Sequence, residues 1–425
     1  MKKSTFLTEA ERVVMVETAA APQLPGTILR DFEMILDFIG TEGVPVSPKS
    51  SEFNLAKLPE INARLVEPGN IGFSRGRQIS FPHVDALHLL LRYSHLVRID
   101  RSQSTSRMVV DAALRQRWQA LNPSERYFTL LEAWWRFSED DSESAGFSAA
   151  SGFDYRVRLL DRLRPSRKSK KFVAKEHESL LYLLGMYQIA LLQMFGMVEL
   201  KQGEVVVGKG WKIERMIATP WGLAACASYK RVFAETYTSF LTALPATNSH
   251  SMDSDAEEDE AGQHPFQRWA AEVSPVFPAW KNALGELDAA AAQRGTITFK
   301  VSLTKDIWRR IAMPAEYSFA DLAMMIITAF NFDDDHLYGF YYHDEYGVKR
   351  SLDDHRCEQP MEEYADAVEL GRAGLGVKQK IGFIYDFGDE WRFDVLVEKV
   401  DESKTIGEPM IIDKAGKSPK QYQWD

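Results

Sequence analysis

The chain has 425 residues, 45% of them hydrophobic and 26% charged, with a formal net charge of −10. That length exceeds one ordinary core and predicts two or three domains of a folded protein, and the acidic balance excludes nucleic-acid binding through the whole surface while leaving a local basic face open. Cys226 and Cys357 stand alone in sequence, form no metal-type pair and fit a reducing cytoplasm.

Residues 1–27 read as a lead-in that ends in Pro22-Gln23-Leu24-Pro25-Gly26, with no signal peptide. Ile28, Leu29, Phe32, Ile35, Leu36 and Ile39 recur at helical spacing, and Gly40 or Gly43 can close that helix. Leu55, Leu58, Ile61 and Leu65 suggest a second helix near Pro59. A third starts near Pro82, where a missing N–H costs nothing, and ends near Tyr93. Two short extended runs, Leu96–Asp100 and Arg107–Val110, follow around a polar tip. Three helices and a hairpin give the order of a winged-helix unit over residues 28–150, whose last helix starts at Asn122-Pro123.

Residues 151–245 echo that order. An apolar helix from Leu180 to Phe195 breaks into Met197–Leu200, a Gly-containing tip and Lys212–Ile217, then a helix from Leu223 to about Leu244. Gly185, Tyr187 and Gln188 interrupt the longest apolar run, so no membrane span is expected. A plain helical domain with added hairpins satisfies the same pattern.

Asn248 to Glu260 is acidic and nearly free of large apolar side chains, which predicts a flexible linker over 246–265. The remaining residues, 266–425, read as a small α+β domain: a Trp-bearing helix-like stretch from Phe266 to Ala292, then an antiparallel sheet on one main helix. Ile297–Leu303 alternates as a half-buried strand does, and Trp308–Ile311 extends to Pro314. Ser318 and Asp321 can form a capping box ahead of a helical face of Phe319, Leu322, Met325, Ile326, Ala329 and Phe330. Leu337–His343 is strand-like, Val368–Leu375 reads as a loop, and Lys380–Phe387 with Trp391–Val400 forms a hairpin about Gly388-Asp389.

Four ordered blocks in this domain, Ile307-Trp308-Arg309-Arg310-Ile311, Phe319-Ala320-Asp321-Leu322, Phe332-Asp333-Asp334-Asp335-His336-Leu337 and Tyr385-Asp386-Phe387-Gly388-Asp389-Glu390-Trp391, resemble the plasmid pRiA4b ORF-3-like family. The ending, Lys417 to Asp425, is similar to the tail of some members, so the resemblance spans roughly residues 296–425. It implies a module found on plasmids and beside transposable elements, with no reaction attached.

Asp333, Asp335, His336 and His343 are the candidate metal ligands, since carboxylates with one or two histidines suit Mg, Mn or Zn; with Asp386, Asp389 and Glu390 they define the reading as a metal-dependent enzyme. The competing reading makes the Asp run a solvated turn, Asp386 and Asp389 turn residues around Gly388, and Arg309 and Arg310 their ion-pair partners across the sheet. Trp308, Arg309, Arg310, Asp386, Asp389 and Trp391 then serve structure, and no cofactor is expected.

The densest basic stretch is 156–175, including Arg156, Arg158, Arg162, Arg164, Arg167, Lys168, Lys170 and Lys171. It is the candidate contact for DNA or RNA, against a solubilising loop or a partner for the acidic linker. A protein partner docked on the aromatic surface of the C-terminal domain is the second binding reading. The expectation is a non-enzymatic, nucleic-acid-associated or regulatory binding protein of a plasmid or transposon setting.

Overall fold

A computed structural model describes residues 6–48, 50–73, 76–101, 105–144, 149–165, 184–243, 265–284, 292–357 and 364–422; of 136–144, 149–155 and 236–243 only the backbone is described. The chain forms two compact units. One holds residues 1–42, 52–96 and 110–285, and the other holds 43–51, 97–109 and 286–425.

The first unit is helical. It contains α1 (Glu9–Ala20), α2 (Ile28–Ile39), α3 (Leu58–Arg64), α4 (Pro82–Tyr93), α5 (Ala112–Ala120), α6 (Pro123–Ser144), α7 (Ala149–Arg162), α8 (Met186–Met194), α9 (Pro220–Ala243) and α10 (Pro265–Val273). Thr8 and Glu11 close a reciprocal capping box on α1, and Asp111 caps α5 by accepting from Leu114 N at 3.0 Å. Neither helix shows a strong apolar stripe, which is why spacing alone passed over both. Aromatic residues fill the core. Phe128 stacks on Trp280 at 3.8 Å, Trp134 on Phe195 at 5.0 Å, and Trp269 meets Trp135 edge to face. Their polar edges are satisfied: Trp134 Nε1 donates to Gln188 Oε1, Trp221 Nε1 to Tyr127 Oη, and Trp269 Nε1 to Ser228 Oγ. Of the stretch expected as helix from Phe266 to Ala292, the described residues are helical through Val273, turn through Ser274–Val276 and run irregularly to Leu284, and 285–291 lie outside the described residues.

The ends of α4 and α8 share one backbone geometry. After α4, Ser94 N reaches Leu90 O, His95 N reaches Arg92 O, and His95 takes φ +59°. After α8, Phe195 N reaches Leu191 O, Gly196 N reaches Gln193 O, and Gly196 takes φ +65°. A left-handed residue at the same offset turns each helix into the strand that follows it. Those strands are β2 (Val97–Asp100) and β4 (Val198–Gln202), with return strands β3 (Arg107–Val110) and β5 (Ile213–Ala218). Asp111 N then bonds Leu96 O, and Thr219 N bonds Met197 O, each at 3.0 Å.

The second unit is built on a sheet of β6 (Thr296–Ser302), β7 (Trp308–Pro314), β8 (Tyr338–His343), β9 (Lys349–Asp353), β10 (Lys380–Tyr385), β11 (Trp391–Asp401) and β12 (Met410–Ala415). Its order among the described residues is β12-β7-β6-β11-β10-β8-β9, antiparallel throughout. Alternation puts Ile297, Phe299 and Val301 of β6 and Phe393, Val395 and Val397 of β11 on one face, where they are buried with α11 (Phe319–Phe330). The Ser318–Asp321 capping box forms as its sequence requires, and Asn331 ends the helix at φ +57°. The 368–375 segment, a loop by sequence, is held firmly: Leu370 and Leu375 are fully buried, Phe319 N bonds Val368 O, and Leu370 N bonds Tyr317 O. Its order comes from tertiary contacts that local propensity does not report. This unit also includes β1 (Val44–Pro45), which extends the β2–β3 hairpin to a three-stranded sheet, order β1-β3-β2; Ile99 N of that hairpin donates to Glu345 O at 2.7 Å. No helix among the described residues is long and apolar enough to cross a membrane.

Candidate functional site

Past Asn331, the chain buries Phe332 against Trp391 and runs through Asp333-Asp334-Asp335-His336 before β8 begins. The hub of this turn is Tyr385, the last residue of β10, whose side chain is fully buried. Its hydroxyl donates to Asp333 O and accepts from Asp335 N at 3.2 Å and His336 N at 3.3 Å. Burial pushes its phenol pKa up, so it stays a neutral donor. The C-terminal tail completes the arrangement. Gln421 Oε1 accepts from Asp333 N at 2.5 Å, and Gln421 Nε2 donates to Asp335 Oδ1 at 3.1 Å. Tyr422 donates to the other Asp335 oxygen, and this bond holds the Asp335 carboxyl below the usual carboxylate range.

His336 faces two carboxylates without bonding either: its Nε2 lies 3.5 Å from Asp386 Oδ2 and 3.7 Å from Asp335 Oδ1. Asp386 is committed to its hairpin. It takes φ +58°, and its Oδ1 accepts from Gly388 N at 2.9 Å, the turn role expected of it. Asp334 is paired with Arg356, which also grips the fully buried Asp354 and donates to His336 O. Among the described residues, no group of three or more His, Cys, Asp or Glu side chains is placed to hold a metal ion. Of the four candidate ligands, Asp333, Asp335 and His336 share the turn. His343 lies at the opposite end of β8, seven residues on and roughly 23 Å away along an extended strand. His336 is thus a partly exposed imidazole beside two carboxylates, of Asp335 and Asp386, that already accept hydrogen bonds.

The arginine pair departs from expectation. Arg310 does pair with carboxylates, but with Glu398 Oε2 at 2.5 Å and Asp413 Oδ2 at 2.6 Å rather than with the β10–β11 turn. Arg309 lies on the opposite face, nearly fully buried over the Phe330 ring at 4.6 Å. It donates to Ala329 O, Trp308 O and Ala415 O at 2.8–2.9 Å and to Ser418 Oγ at 2.6 Å. The helix end, the tail and β12 are therefore tied by a cation that binds carbonyls and a hydroxyl. Trp308 sits on the outer face under Lys300 and Arg310, while Trp391 packs inward on Phe332. Asp389 donates its backbone N–H to Asp386 Oδ1 at 3.3 Å within the same turn.

Residues 296–421 match the model of the plasmid pRiA4b ORF-3-like protein family. The second unit carries a pRiA4b ORF-3-like domain. All four sequence blocks lie inside the match, and so does Gln421. A solved protein of unknown function from Methanosarcina mazei Go1 is 22% identical over 29% of this chain and 71% of that chain, with a TM-score of 0.26. Comparison with curated proteins gives no match. The pRiA4b ORF-3-like blocks thus correspond to the strand pairings, the helix cap and the Tyr385-centred turn. Sequence reasoning missed Tyr385, Gln421, Tyr422 and Arg356 as the residues that hold the turn; the first three stand in or beside quoted blocks, but their partners are distant in sequence.

Upstream of the pRiA4b ORF-3-like domain, the basic stretch divides. Arg156 is buried, its guanidinium 5.3 Å from the Trp134 ring, and so is removed from the surface to which its charge was assigned. Val157, Leu159, Leu160 and Leu163 are buried with it. Arg158, Arg162 and Arg164 are exposed, and Arg164 pairs with Asp161 at 2.8 Å. Arg167, Lys168, Lys170 and Lys171 lie outside the described residues, as does the acidic stretch 248–260.

Proposed function

We propose that the protein is a non-enzymatic, nucleic-acid-associated binding protein of the plasmid or transposable-element setting, in which segment 156–175 contacts phosphates and two winged-helix-like units form the scaffold. The observation that carries this reading is the exposed pair Arg158 and Arg162, one helical turn apart on α7, at the entrance to the richest run of Lys and Arg in the chain. The buried face of the same helix fixes that pair to a rigid core.

The packing of α4 and α8 supports contact with the backbone rather than with bases. These are the helices that precede the two hairpins, the position of a reading helix in a winged-helix unit. Nine of the twelve residues of α4 are buried, and α8 is buried from Gln188 to Met194. His83 Nε2 and Gln193 Oε1 lie 2.9 Å apart where the two helices meet. Such helices present no free face to a major groove, so binding is expected to follow charge and to ignore base sequence. Anisotropy titrations with labelled duplex DNA and RNA test this. The parent is expected to bind both, losing affinity steeply as salt rises, and the variant with Arg167, Lys168, Lys170 and Lys171 changed to Glu is expected not to bind. Equal binding by that variant at low salt would falsify the proposal.

A further inference from the structure

The two edges of the seven-stranded sheet are treated differently by this sequence. The β9 edge carries Lys349 and Arg350, and a later segment partly covers it: Asp353 bridges to Tyr364 in parallel, and Ala365 N donates to Asp353 O at 2.9 Å. Charge and cover are the usual protections of an edge strand. Among the described residues, the β12 edge has neither over its first half. Met410, Ile411 and Ile412 are exposed to 47%, 41% and 49%, three large apolar residues in succession. β12 lies at the end of the sheet order, with β7 as its neighbour, so among the described residues its outer backbone edge is open to a further strand. The register with β7 also slips between Ile411 and Asp413, leaving Ile412 opposite no β7 residue.

We infer that β12 is a homodimer interface, in which β12 of a second copy pairs antiparallel about a twofold axis through Ile411 and makes one continuous sheet of the two pRiA4b ORF-3-like domains. The choice of occupant rests on self-complementarity. With Ile411 opposite Ile411 of the other copy, Met410 of each faces Ile412 of the other, and Glu408 of each faces Lys414 of the other. One register thus joins the whole apolar run to itself and matches Glu408 with Lys414, while Asp413, held by Arg310 of its own chain, faces Pro409. Among the described residues, neither Glu408 nor Lys414 forms a side-chain ion pair within its own chain, so both charges remain available. Gly416, at φ +71°, bends the chain away just beyond the strand and limits the interface to this run.

Sedimentation equilibrium on the full chain tests the proposal, with far-UV circular dichroism to verify the fold of each variant. The parent is expected to be a dimer and Ile412→Lys a monomer. Lys414→Glu should raise the dimer dissociation constant about tenfold by placing like charges opposite one another twice, and Glu408→Lys combined with Lys414→Glu should restore it. In a Cys357→Ser background, Ile411→Cys should cross-link to twice the chain mass on mild oxidation, because directly opposed residues of an antiparallel pair lie within disulfide reach. A parent that stays monomeric with no cross-link through Cys introduced at 411 overturns the proposal. So does a dimer that these substitutions leave unchanged, and a dimer weakened by Ile412→Lys without charge-swap rescue overturns the Ile411-centred register.

Discussion

Two regions of this molecule are dense in ionisable residues, and they use them in opposite ways. In the turn from Asp333 to His336, each aspartate is engaged locally: Asp333 through its backbone with Tyr385 and Gln421, Asp334 with Arg356, Asp335 with Tyr422 and Gln421. On α7, Arg158 and Arg162 are turned outward by a helix whose other face is buried. The acidic turn resembles an active site in sequence, yet the Asp335 carboxylate holds the tail residues Gln421 and Tyr422, the Asp334 carboxylate holds Arg356, and Asp333 joins the network through its backbone. Residue density alone therefore says little about chemistry; the way each element presents its groups, inward to neighbours or outward, has to be read from the structure. The comparison makes a general demand: substitutions in and around the turn should cost stability, and substitutions on the arginine face should cost binding.

The largest stability effect is expected at Arg309. Changing it to Met leaves the carbonyls of Ala329 and Ala415 without their charged donor, which should cost about 4 kcal/mol in urea unfolding, since each lost bond to a charged group is worth about 1.5–3 kcal/mol. Tyr385→Phe follows, at about 2 kcal/mol for a buried hydroxyl that serves three backbone groups. Hydrogen exchange at the Asp335 and His336 amides should quicken in that variant, and protection equal to the parent would contradict the hub role.

A smaller effect sharpens the comparison from the helical unit. His83 is buried, its Nδ1 has no partner among the described residues, and burial lowers its pKa. A base whose folded pKa is depressed binds protons more weakly folded than unfolded. Its neutral form is therefore accommodated fully above the unfolded value of about 6.5, and stability falls as pH drops below that value toward the folded pKa. Unfolding midpoints compared at pH 7.5 and pH 5.5 should show the loss in the parent, and His83→Gln should flatten that dependence. The least disruptive change is Tyr422→Phe. It should move the Asp335 carboxyl titration upward in NMR, back toward the ordinary range, with little change in the melting curve.

What was legible in the sequence was what neighbours in sequence decide. The Ser318–Asp321 cap, the alternation of β6 and the hairpin about Gly388 are each specified within a few residues. β12 went unread because it takes its form from β7, about a hundred residues away, and β9 because its short polar run, Lys349–Asp353, shows no apolar alternation of its own and takes its form from the neighbouring β8. The burial of Arg309 had a signal: it shares a face with Ile311 and Met313 at a period of two. Arg156 had one as well, four and seven residues before Leu160 and Leu163 on the buried side of α7. In both cases charge suggested the surface while periodicity pointed inward, and packing against an aromatic ring decided for the interior. The Tyr385 hub had no local signal, because its partners are about fifty residues distant.

The central proposal is that the cations of 156–175, and no residue of the acidic turn, carry binding to nucleic acid. The most direct measurement is the dependence of the DNA and RNA binding constant on salt, for the parent, for Tyr385→Phe, and for a protein with Arg162, Arg164, Arg167, Lys168, Lys170 and Lys171 changed to Glu. The account predicts a steep loss of affinity with salt in the first two, with a slope of about −0.9 per phosphate neutralised on duplex DNA, and no measurable binding in the third. Binding by the charge-reversed protein equal to that of the parent would contradict it.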